Sequence, residues 1–135
     1  MAVEKYYDHR WLVPDRVILS TLVGIGTLED IEATDQILLD MLDSGDAPVH
    51  IIVNCTDLVS VPVNLTQVLS RMTHLHDPNL GKVVAYGVNR WVRFMATAIF
   101  PFTKTQLQFT NSLEEAITYI KQADYTVDWN GDNDS

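Results

Sequence analysis

The sequence predicts an α/β domain whose mixed sheet of four or five strands begins with an antiparallel hairpin and continues as right-handed βα units, with the helices mainly on one face. Two adjacent segments rich in β-forming residues stand first, and short apolar runs then alternate with amphipathic segments. Alternating strands and helices form parallel sheets with right-handed crossovers. The 135 residues, 47% of them hydrophobic, are enough for one sizeable core without a disulfide or a metal.

The first two strands are predicted from composition and from a turn. Residues 5–13 and 16–23 are rich in aromatic and β-branched side chains, which favour strands. Pro14 and Asp15 separate the two segments and are typical turn residues. We therefore expect an antiparallel hairpin at the start of the sheet.

The first helix is predicted between a start and a stop signal. Thr27 and Asp30 have the spacing of a capping box, with Asp in place of the usual Glu, and Gly45 follows the predicted last residue, Asp43. The apolar residues between these signals form one stripe with Ile37 at its margin: Ile31, Ile37, Leu38, Met41 and Leu42.

The remaining elements alternate in the same way. The sequence predicts, in order, a buried strand at 49–53, a loop at 58–63, a helix from 64 to 75, a buried strand at 83–88, a third helix from 89 to 101, a short strand at 106–109 and a last helix capped by Ser112. Residues 1–123 are expected to form one domain. Residues 124–135 lose the periodicity and are predicted to form a flexible acidic tail.

The charge of the chain argues against two classes of binding protein. The sequence has 9 Lys+Arg against 18 Asp+Glu, a formal net charge of -9. A general binder of nucleic acid or of anionic membranes needs a basic face to neutralise phosphates. No apolar run is long enough for stable membrane insertion and no secretory signal is found, so a cytoplasmic location is expected.

The acidic residues are concentrated in one stretch. No Lys or Arg occurs between Arg16 and Arg71. The first helix lies in this stretch, so we expect it to carry an acidic face that could meet a basic protein partner. The alternative is a solvated surface that keeps the protein soluble. The residues assigned to this face are Glu29, Glu32, Asp35 and Asp43.

Four short segments resemble the SpoIIAA-like (STAS-like) domain family. Residues 26–30 are similar to its first helix start, and residues 49–54 to the strand that follows. Residues 87–94 and 109–116 are similar to the C-terminal half of an uncharacterised SpoIIAA-like subfamily, which has been compared with CRAL-TRIO lipid-binding domains. The resemblance covers about residues 5–123, and it implies a regulatory or binding module rather than an enzyme.

One position departs from the pattern of this family. In the anti-sigma factor antagonists a Ser at the start of the second helix is phosphorylated by a partner kinase. The resemblance places Asn64 there, and the Gly of the family motif is missing. Ser60 and Thr66 lie nearby but are poor substitutes. The resemblance therefore implies a module without the phosphorylation switch.

No constellation in the sequence predicts catalysis, a metal site or a cofactor. His74 and His76 stand two residues apart on a predicted helix, so they would not face the same way, and we expect them at a solvent-facing helix end. Cys55 follows a buried strand without a basic neighbour in sequence, which favours a small core residue over a nucleophile. We therefore predict no catalytic residues and no cofactor.

The start of the third helix is the strongest candidate for ligand binding. Asn89, Arg90 and Arg93 follow a predicted parallel strand, at the sheet edge where open α/β sheets bind ligands. The two arginines could bind a carboxylate or a phosphate there. The alternative is that Asn89 is a helix cap and that the arginines pair with acids of a neighbouring helix.

Apolar residues surround nearly all of the third helix, although a surface helix normally shows one apolar stripe. We prefer a homodimer as the cover for this surplus. A small lipid-like ligand beneath the helix is the second alternative, and a dense core that uses both sides of the helix is the third. The residues assigned to the interface are Trp91, Phe94, Met95, Ile99 and Phe102.

Overall fold

The computed structural model describes residues 5–103 and 105–129, without the side chain of Phe102. Its strands are β1 (Tyr6–Val13), β2 (Val17–Ile25), β3 (Val49–Ser60), β4 (Leu80–Tyr86) and β5 (Leu107–Thr110). Its α-helices are α1 (Leu28–Ser44), α2 (Leu65–Arg71), α3 (Arg90–Ile99) and α4 (Leu113–Ala123), and 3-10 turns follow α2 at Thr73–His76 and α3 at Phe100–Phe102. Among these described helices, none is long and apolar enough to cross a membrane.

The five strands form one mixed sheet in the order β1-β2-β3-β4-β5. β1 is antiparallel to β2, and the other neighbours are parallel. Pro14 and Asp15 form the hairpin turn, in which the Arg16 amide donates to the Val13 carbonyl at 3.0 Å. The predicted fold class is confirmed, including the opening hairpin and the parallel βα units.

The helices lie mainly on one face of the sheet. On that face α1 buries Leu38 and Leu42 against Ile18, Ile51 and Val83. α3 buries Val92 against Cys55 and Ala85 on the same side. α4 covers the opposite face, where a second core cluster contains Val17, Ile52, Val84, Ala116 and Ile120.

The start of α1 is fixed by the predicted capping box. The Thr27 hydroxyl accepts from the Asp30 amide at 3.2 Å, and the Asp30 carboxylate accepts from the Thr27 amide at 2.8 Å. These bonds satisfy amides that have no partner inside the helix. Asp therefore serves in place of Glu in this capping box.

β3 is longer than predicted, because the region taken as a loop at 58–63 is strand as far as Ser60. The extension pairs with β2, where Asp57 lies opposite Val23 and Leu58 opposite Gly24. β4 ends earlier, with Asn54 opposite Tyr86 as its last pair with β3. The edge of the β3 extension that faces away from β2 is therefore not paired with β4, and the start of α3 lies at this edge.

α2 is shorter than predicted and gives way to a 3-10 turn after Met72. The Asp35 carboxylate of α1 accepts hydrogen bonds from the Thr73 hydroxyl and the His74 amide, both at 2.7 Å. These bonds tighten the chain and turn His74 inwards. The prediction of a solvent-facing His74 is wrong, since this residue is only 6% exposed.

The first part of the predicted tail lies against the domain. Asp124 binds Arg16 and His50, and Val127 is buried in the core cluster beneath α4. Trp129 packs against the same cluster. The packed part of the chain thus continues to residue 129 rather than ending at 123, and residues 130–135 of the predicted tail lie outside the described residues.

Candidate functional site

An apolar cavity lies between the sheet and the three helices on its main face. It consists of two adjoining hollows of about 160 Å³ and about 170 Å³. The side chains that line both hollows include Leu22, Leu58, Met72, Val92, Ala96 and Phe100. An apolar cavity of roughly 150 Å³ can hold a benzene molecule, so each hollow has room for one small ring.

The cavity exists because the start of α3 is attached to the β3 extension by hydrogen bonds, which hold the helix above the sheet. The Asn89 side chain caps α3 by accepting from the Val92 amide at 2.8 Å. Its amide nitrogen donates to the Leu58 carbonyl at 2.9 Å and the Val59 carbonyl at 3.1 Å. Ala96 then faces the sheet with a small side chain, which leaves space beneath the helix.

A glycine sets the turn that leads into α3. Gly87 has a φ of +73°, which residues with a Cβ rarely adopt. A Cβ at this position would also lie 2.5 Å from the Thr56 hydroxyl oxygen and 2.8 Å from its Cα. The chain therefore leaves β4 close to β3, which brings Asn89 within reach of the β3 carbonyls.

The apolar residues of α3 have two different environments. Met95 and Ile99 are 3% and 4% exposed and line the cavity, so their assignment to a dimer interface is wrong. Trp91 and Phe94 are 40% and 64% exposed, and their rings stack with centroids 5.9 Å apart. The side chain of Phe102 lies outside the described part of the structure.

The structure brings Asn89, Arg90 and Arg93 together at the start of α3, with both arginines exposed. The Arg93 guanidinium lies 4.3 Å from the centroid of the Phe109 ring. Within residues 5–103 and 105–129 neither arginine forms an ion pair. The Asn89 side chain forms hydrogen bonds with backbone groups. Anion binding at the start of α3 therefore stays a prediction for the two arginines alone.

Two polar residues of the hairpin line the larger hollow, which we call the sheet hollow. His9 of β1 lies opposite Ser20 of β2, and the His9 Nδ1 is 2.8 Å from the Ser20 hydroxyl oxygen. Burial lowers the pKa of His9, so its ring is neutral near pH 7. The His9 Nε2 is also buried, and it has no hydrogen-bond partner among the described residues.

His74 lines both hollows and is held by a carboxylate behind it. Its Nδ1 lies 2.6 Å from an Asp35 oxygen, which also accepts from the His74 amide. Burial opposes ionisation of Asp35, yet the hydrogen bonds from His74 and Thr73 lower the pKa of Asp35 below its ordinary value. Asp35 is thus ionised and accepts, so the His74 Nδ1 carries a hydrogen.

Asp35 therefore does not belong to the acidic face of α1, because it is only 7% exposed and points towards His74. Glu29, Glu32 and Asp43 are exposed on this helix. The Glu32 carboxylate is 3.6 Å from the Arg71 guanidinium of α2, which offsets part of the negative charge.

The smaller hollow, which we call the rim hollow, has a polar edge. The Tyr7 hydroxyl donates to the Asp30 carboxylate at 3.4 Å, and both residues line this hollow. Burial and the neighbouring carboxylate raise the pKa of Tyr7 to about 12. Lys5 forms an ion pair with Asp30 at 3.1 Å but does not line the hollow.

The sheet hollow is also lined by the one cysteine of the chain. Cys55 is 5% exposed, and burial raises the pKa of its thiol to about 12, so it is not a thiolate near pH 7. The expectation of a small core residue is confirmed for Cys55. In the described portion of the chain, no group of three or more His, Cys, Asp or Glu residues could hold a metal ion.

His9 and Ser20 were not identified from the sequence, although a signal for them exists. In β1, His9 alternates with Tyr7 and Trp11, so the three side chains share one face of the strand. Tyr7 and Trp11 are aromatic and favour the covered face of the sheet. A histidine between them is therefore expected to point inwards, where its second ring nitrogen needs a partner.

The start of α2 is fixed by a side-chain cap. Asn64 is the N-cap, and its side-chain oxygen accepts from the Gln67 amide at 3.1 Å. The residue is exposed, as is Thr66, the second residue of the helix. An amide-bearing side chain thus caps this helix.

Comparison with known proteins shows the fold but assigns no family. No family model and no curated protein matches the chain. An uncharacterised DUF3478 protein with a SpoIIAA-like fold from Shewanella loihica PV-4 matches at 16% identity and a TM-score of 0.63, over 88% of this chain and 95% of that one.

Two structures of SpoIIAA give similar matches. The anti-sigma factor antagonist SpoIIAA in its unphosphorylated form is 17% identical with a TM-score of 0.61, over 86% of this chain and 98% of that one. The Bacillus cell fate determinant SpoIIAA in its phosphorylated form is 18% identical with a TM-score of 0.58, over 85% and 99%. The chain therefore has a SpoIIAA-like fold, as its short motifs predicted.

Proposed function

We propose that this chain is a non-catalytic binding module that holds a small apolar ligand in the cavity beneath α3. The cavity itself carries the proposal, because well-packed domains contain few voids larger than a water molecule. An apolar ligand gains free energy when its surface leaves water for apolar walls. The rim hollow, of about 160 Å³, is large enough for one small ring.

The SpoIIAA-like fold supports a regulatory rather than a catalytic role. One protein with this fold is named as an anti-sigma factor antagonist. Asn64 occupies the start of α2 in this chain. We therefore propose that ligand occupancy, and not phosphorylation at this helix start, is the signal to which the module responds.

Filling the cavity from α3 is expected to abolish ligand binding. In a methyl NMR titration, wild-type protein should bind toluene with a Kd on the order of 1 mM, because the ring leaves water for apolar walls. Ala96→Phe places a ring in the space beneath the helix and should weaken toluene binding more than about tenfold. Native mass spectrometry of freshly purified wild-type protein should also show a retained ligand.

Ala98→Phe is the matched control, because Ala98 lies on the same helix but lines neither hollow. It should leave toluene binding within about twofold of wild type, since the cavity is unchanged. Absence of toluene binding to the wild-type protein would count against the ligand-binding function. So would equal affinities in the wild type and in Ala96→Phe.

Protein interaction through α3 is the second candidate function, and the exposed aromatic pair favours it. Trp91 and Phe94 are stacked on the outer surface of the helix. Aromatic residues are enriched in the centres of protein interfaces. We propose that this pair, flanked by Arg90 and Arg93, forms a homodimer contact, and that Glu29, Glu32 and Asp43 are available to a basic protein partner.

Light scattering tests the homodimer. The wild-type protein should show the mass of a dimer at high micromolar concentration, and Phe94→Asp should give a monomer because a buried unpaired carboxylate is costly. Ile37→Asp is the matched control, since Ile37 is an exposed apolar residue of α1 far from the pair in sequence. A strictly monomeric wild-type protein would remove the homodimer and leave the ligand-binding function untouched.

A further inference from the structure

We infer that the ligand of the cavity is a single unbranched alkyl chain, which enters through the rim hollow and ends in the sheet hollow, with its polar head group left at the rim. This inference rests on the proposed function and specifies the class of its ligand. It starts from three features of the cavity: the two hollows share a wall, they lie at different depths, and their inner surface is apolar.

The two hollows adjoin beneath α3. Half of the residues that line the rim hollow also line the sheet hollow. The shared residues belong to the sheet, to the end of α2 and to α3, and they include Leu22, Leu58, Met72, Val92 and Ala96. At this passage Ala96 presents only a methyl group. A molecule longer than one hollow can therefore extend from it into the other.

The sheet hollow is the inner of the two. The residues that line only this hollow include Ile51, Val83 and Ala85, all of which are buried. The residues that line only the rim hollow include Ile31 and Val61, which are partly exposed. A ligand therefore enters at the rim hollow, and the part that enters first reaches the sheet.

The walls of the two hollows present almost no polar atoms to a ligand. The polar side chains at the walls bind other protein groups instead, since the His9 Nδ1 and the Ser20 hydroxyl bind each other and the His74 Nδ1 binds Asp35. A hydroxyl, an amide or a charged group inside either hollow would lose its hydrogen bonds to water without replacement. The part of the ligand inside the cavity is therefore hydrocarbon.

The volumes set the length of this hydrocarbon. Because roughly 150 Å³ of apolar cavity holds the six carbons of benzene, hollows of about 160 Å³ and about 170 Å³ together accommodate about twelve carbon atoms. Rotation about its single bonds lets an alkyl chain pass from one hollow into the other, whereas a rigid ring must fit within one. The head group then lies at the polar edge of the rim hollow, where Tyr7 donates to Asp30.

Titrations of the full chain with 1-butanol, 1-hexanol and 1-octanol, followed by methyl NMR, test this inference. Each buried CH₂ group should tighten binding about fourfold. In wild-type protein, each of the two longer alcohols should therefore bind about tenfold or more tightly than the next shorter one. Intermolecular NOEs should connect the terminal methyl group of bound 1-octanol to Ile51 and Val83, and the CH₂ group beside its hydroxyl to Ile31.

Ala85→Phe places a ring in the sheet hollow, because Ala85 lines only that hollow. In this variant 1-octanol should bind within about threefold of 1-hexanol, while toluene, which fits the rim hollow, should still bind. Cys55→Phe fills the same hollow from β3 and takes the place of Ala85→Phe if that variant does not fold. Ala98→Phe is the matched control, since Ala98 lines neither hollow, and it should keep the difference of about tenfold or more between 1-hexanol and 1-octanol.

The outcomes separate this inference from the proposed function. Toluene binding together with equal affinities for 1-hexanol and 1-octanol in wild-type protein would overturn the single chain and leave the cavity proposal standing. NOEs from the terminal methyl group of 1-octanol to Ile31 would overturn the placement of the chain end, and so would an unchanged preference for 1-octanol in a variant with a filled sheet hollow. Failure of toluene and of all three alcohols to bind wild-type protein would instead refute the proposed function.

Discussion

Asp35→Ala is expected to lower the free energy of unfolding by about 3–5 kcal/mol, because each buried donor that loses its acceptor costs about 1–3 kcal/mol. Asp35 accepts from the Thr73 hydroxyl, the His74 amide and the His74 Nδ1 at 2.6 to 2.7 Å. The substitution would leave the His74 amide and the His74 Nδ1 without their acceptor in a part of the core that is shielded from water. It would also free the 3-10 turn that closes the cavity beside α2.

Urea unfolding at pH 7 provides the measurement, with Asp43→Ala as the matched control. Asp43 is an exposed acid on the same helix, and its removal should change the free energy of unfolding by less than about 0.5 kcal/mol. If the two substitutions had equal effects, the hydrogen bonds of Asp35 would not be a main contact between α1 and the turn after α2. A loss of less than about 1 kcal/mol for Asp35→Ala would lead to the same conclusion.

Asp35 also shows how much of the interior could have been predicted. From its charge alone, Asp35 is assigned to an acidic face of α1 together with Glu29, Glu32 and Asp43. Its position, however, lies three residues before Leu38 and seven before Leu42, which is the spacing of one helix face. The apolar stripe thus predicts an inward Asp35, and the sequence shows no partner because His74 is 39 residues away along the chain.

The helix starts that carry a capping residue in the sequence were predicted correctly. The Thr27–Asp30 capping box fixed the start of α1, and Asn64 and Asn89 cap the next two helices. The length of β3 did not follow from local signals, because its extension is stabilised by pairing with β2. Pairing between strands that are distant along the chain is a property of the fold and not of the segment.

The sequence of α3 predicts that its apolar residues are covered, but it does not show what covers each of them. Its excess of apolar residues predicts a cover, which could be a second copy of the chain, a lipid-like ligand or the protein's own core. Met95 and Ile99 belong to the protein's own interior, whereas Trp91 and Phe94 remain at the surface. The cavity could not be inferred from sequence, because it depends on the height at which Asn89 holds α3 above the sheet.

The contacts of Asp124 have the second largest expected effect on stability. Its carboxylate binds the Arg16 guanidinium at 3.0 Å and His50 at 2.8 Å, and it accepts from the Thr126 amide at 2.9 Å. The Lys82 amide donates to the His50 Nδ1, so the His50 Nε2 must carry the hydrogen that is donated to Asp124. His50 is thus neutral with both nitrogens occupied.

Asp124→Ala should therefore lower the free energy of unfolding by about 2–4 kcal/mol and release the segment 124–129 from the sheet. Hydrogen exchange measured by mass spectrometry should show faster exchange in this segment. Asp46→Ala, which removes an exposed acid elsewhere, should leave both quantities close to those of the wild type. Unchanged exchange in residues 124–129 of Asp124→Ala would show that Val127 and Trp129 hold the segment without the carboxylate.

The pH dependence of unfolding gives an independent test of the same contacts. Burial lowers the pKa of His50 in the folded state, although Asp124 acts in the opposite direction. The unfolded chain therefore binds more protons than the folded one below about pH 6.5, and stability falls as the pH decreases from 7 towards 5. His50→Gln removes this titrating group and should flatten that part of the profile.

Burial opposes ionisation of Asp124, but hydrogen bonds from Thr126 and His50 lower the pKa of Asp124. The contribution of Asp124 to stability is therefore lost only below about pH 4. A profile of His50→Gln that still falls as steeply as the wild type between pH 7 and pH 5 would assign the acid sensitivity to another group, of which His9 is the first candidate because burial lowers its pKa as well.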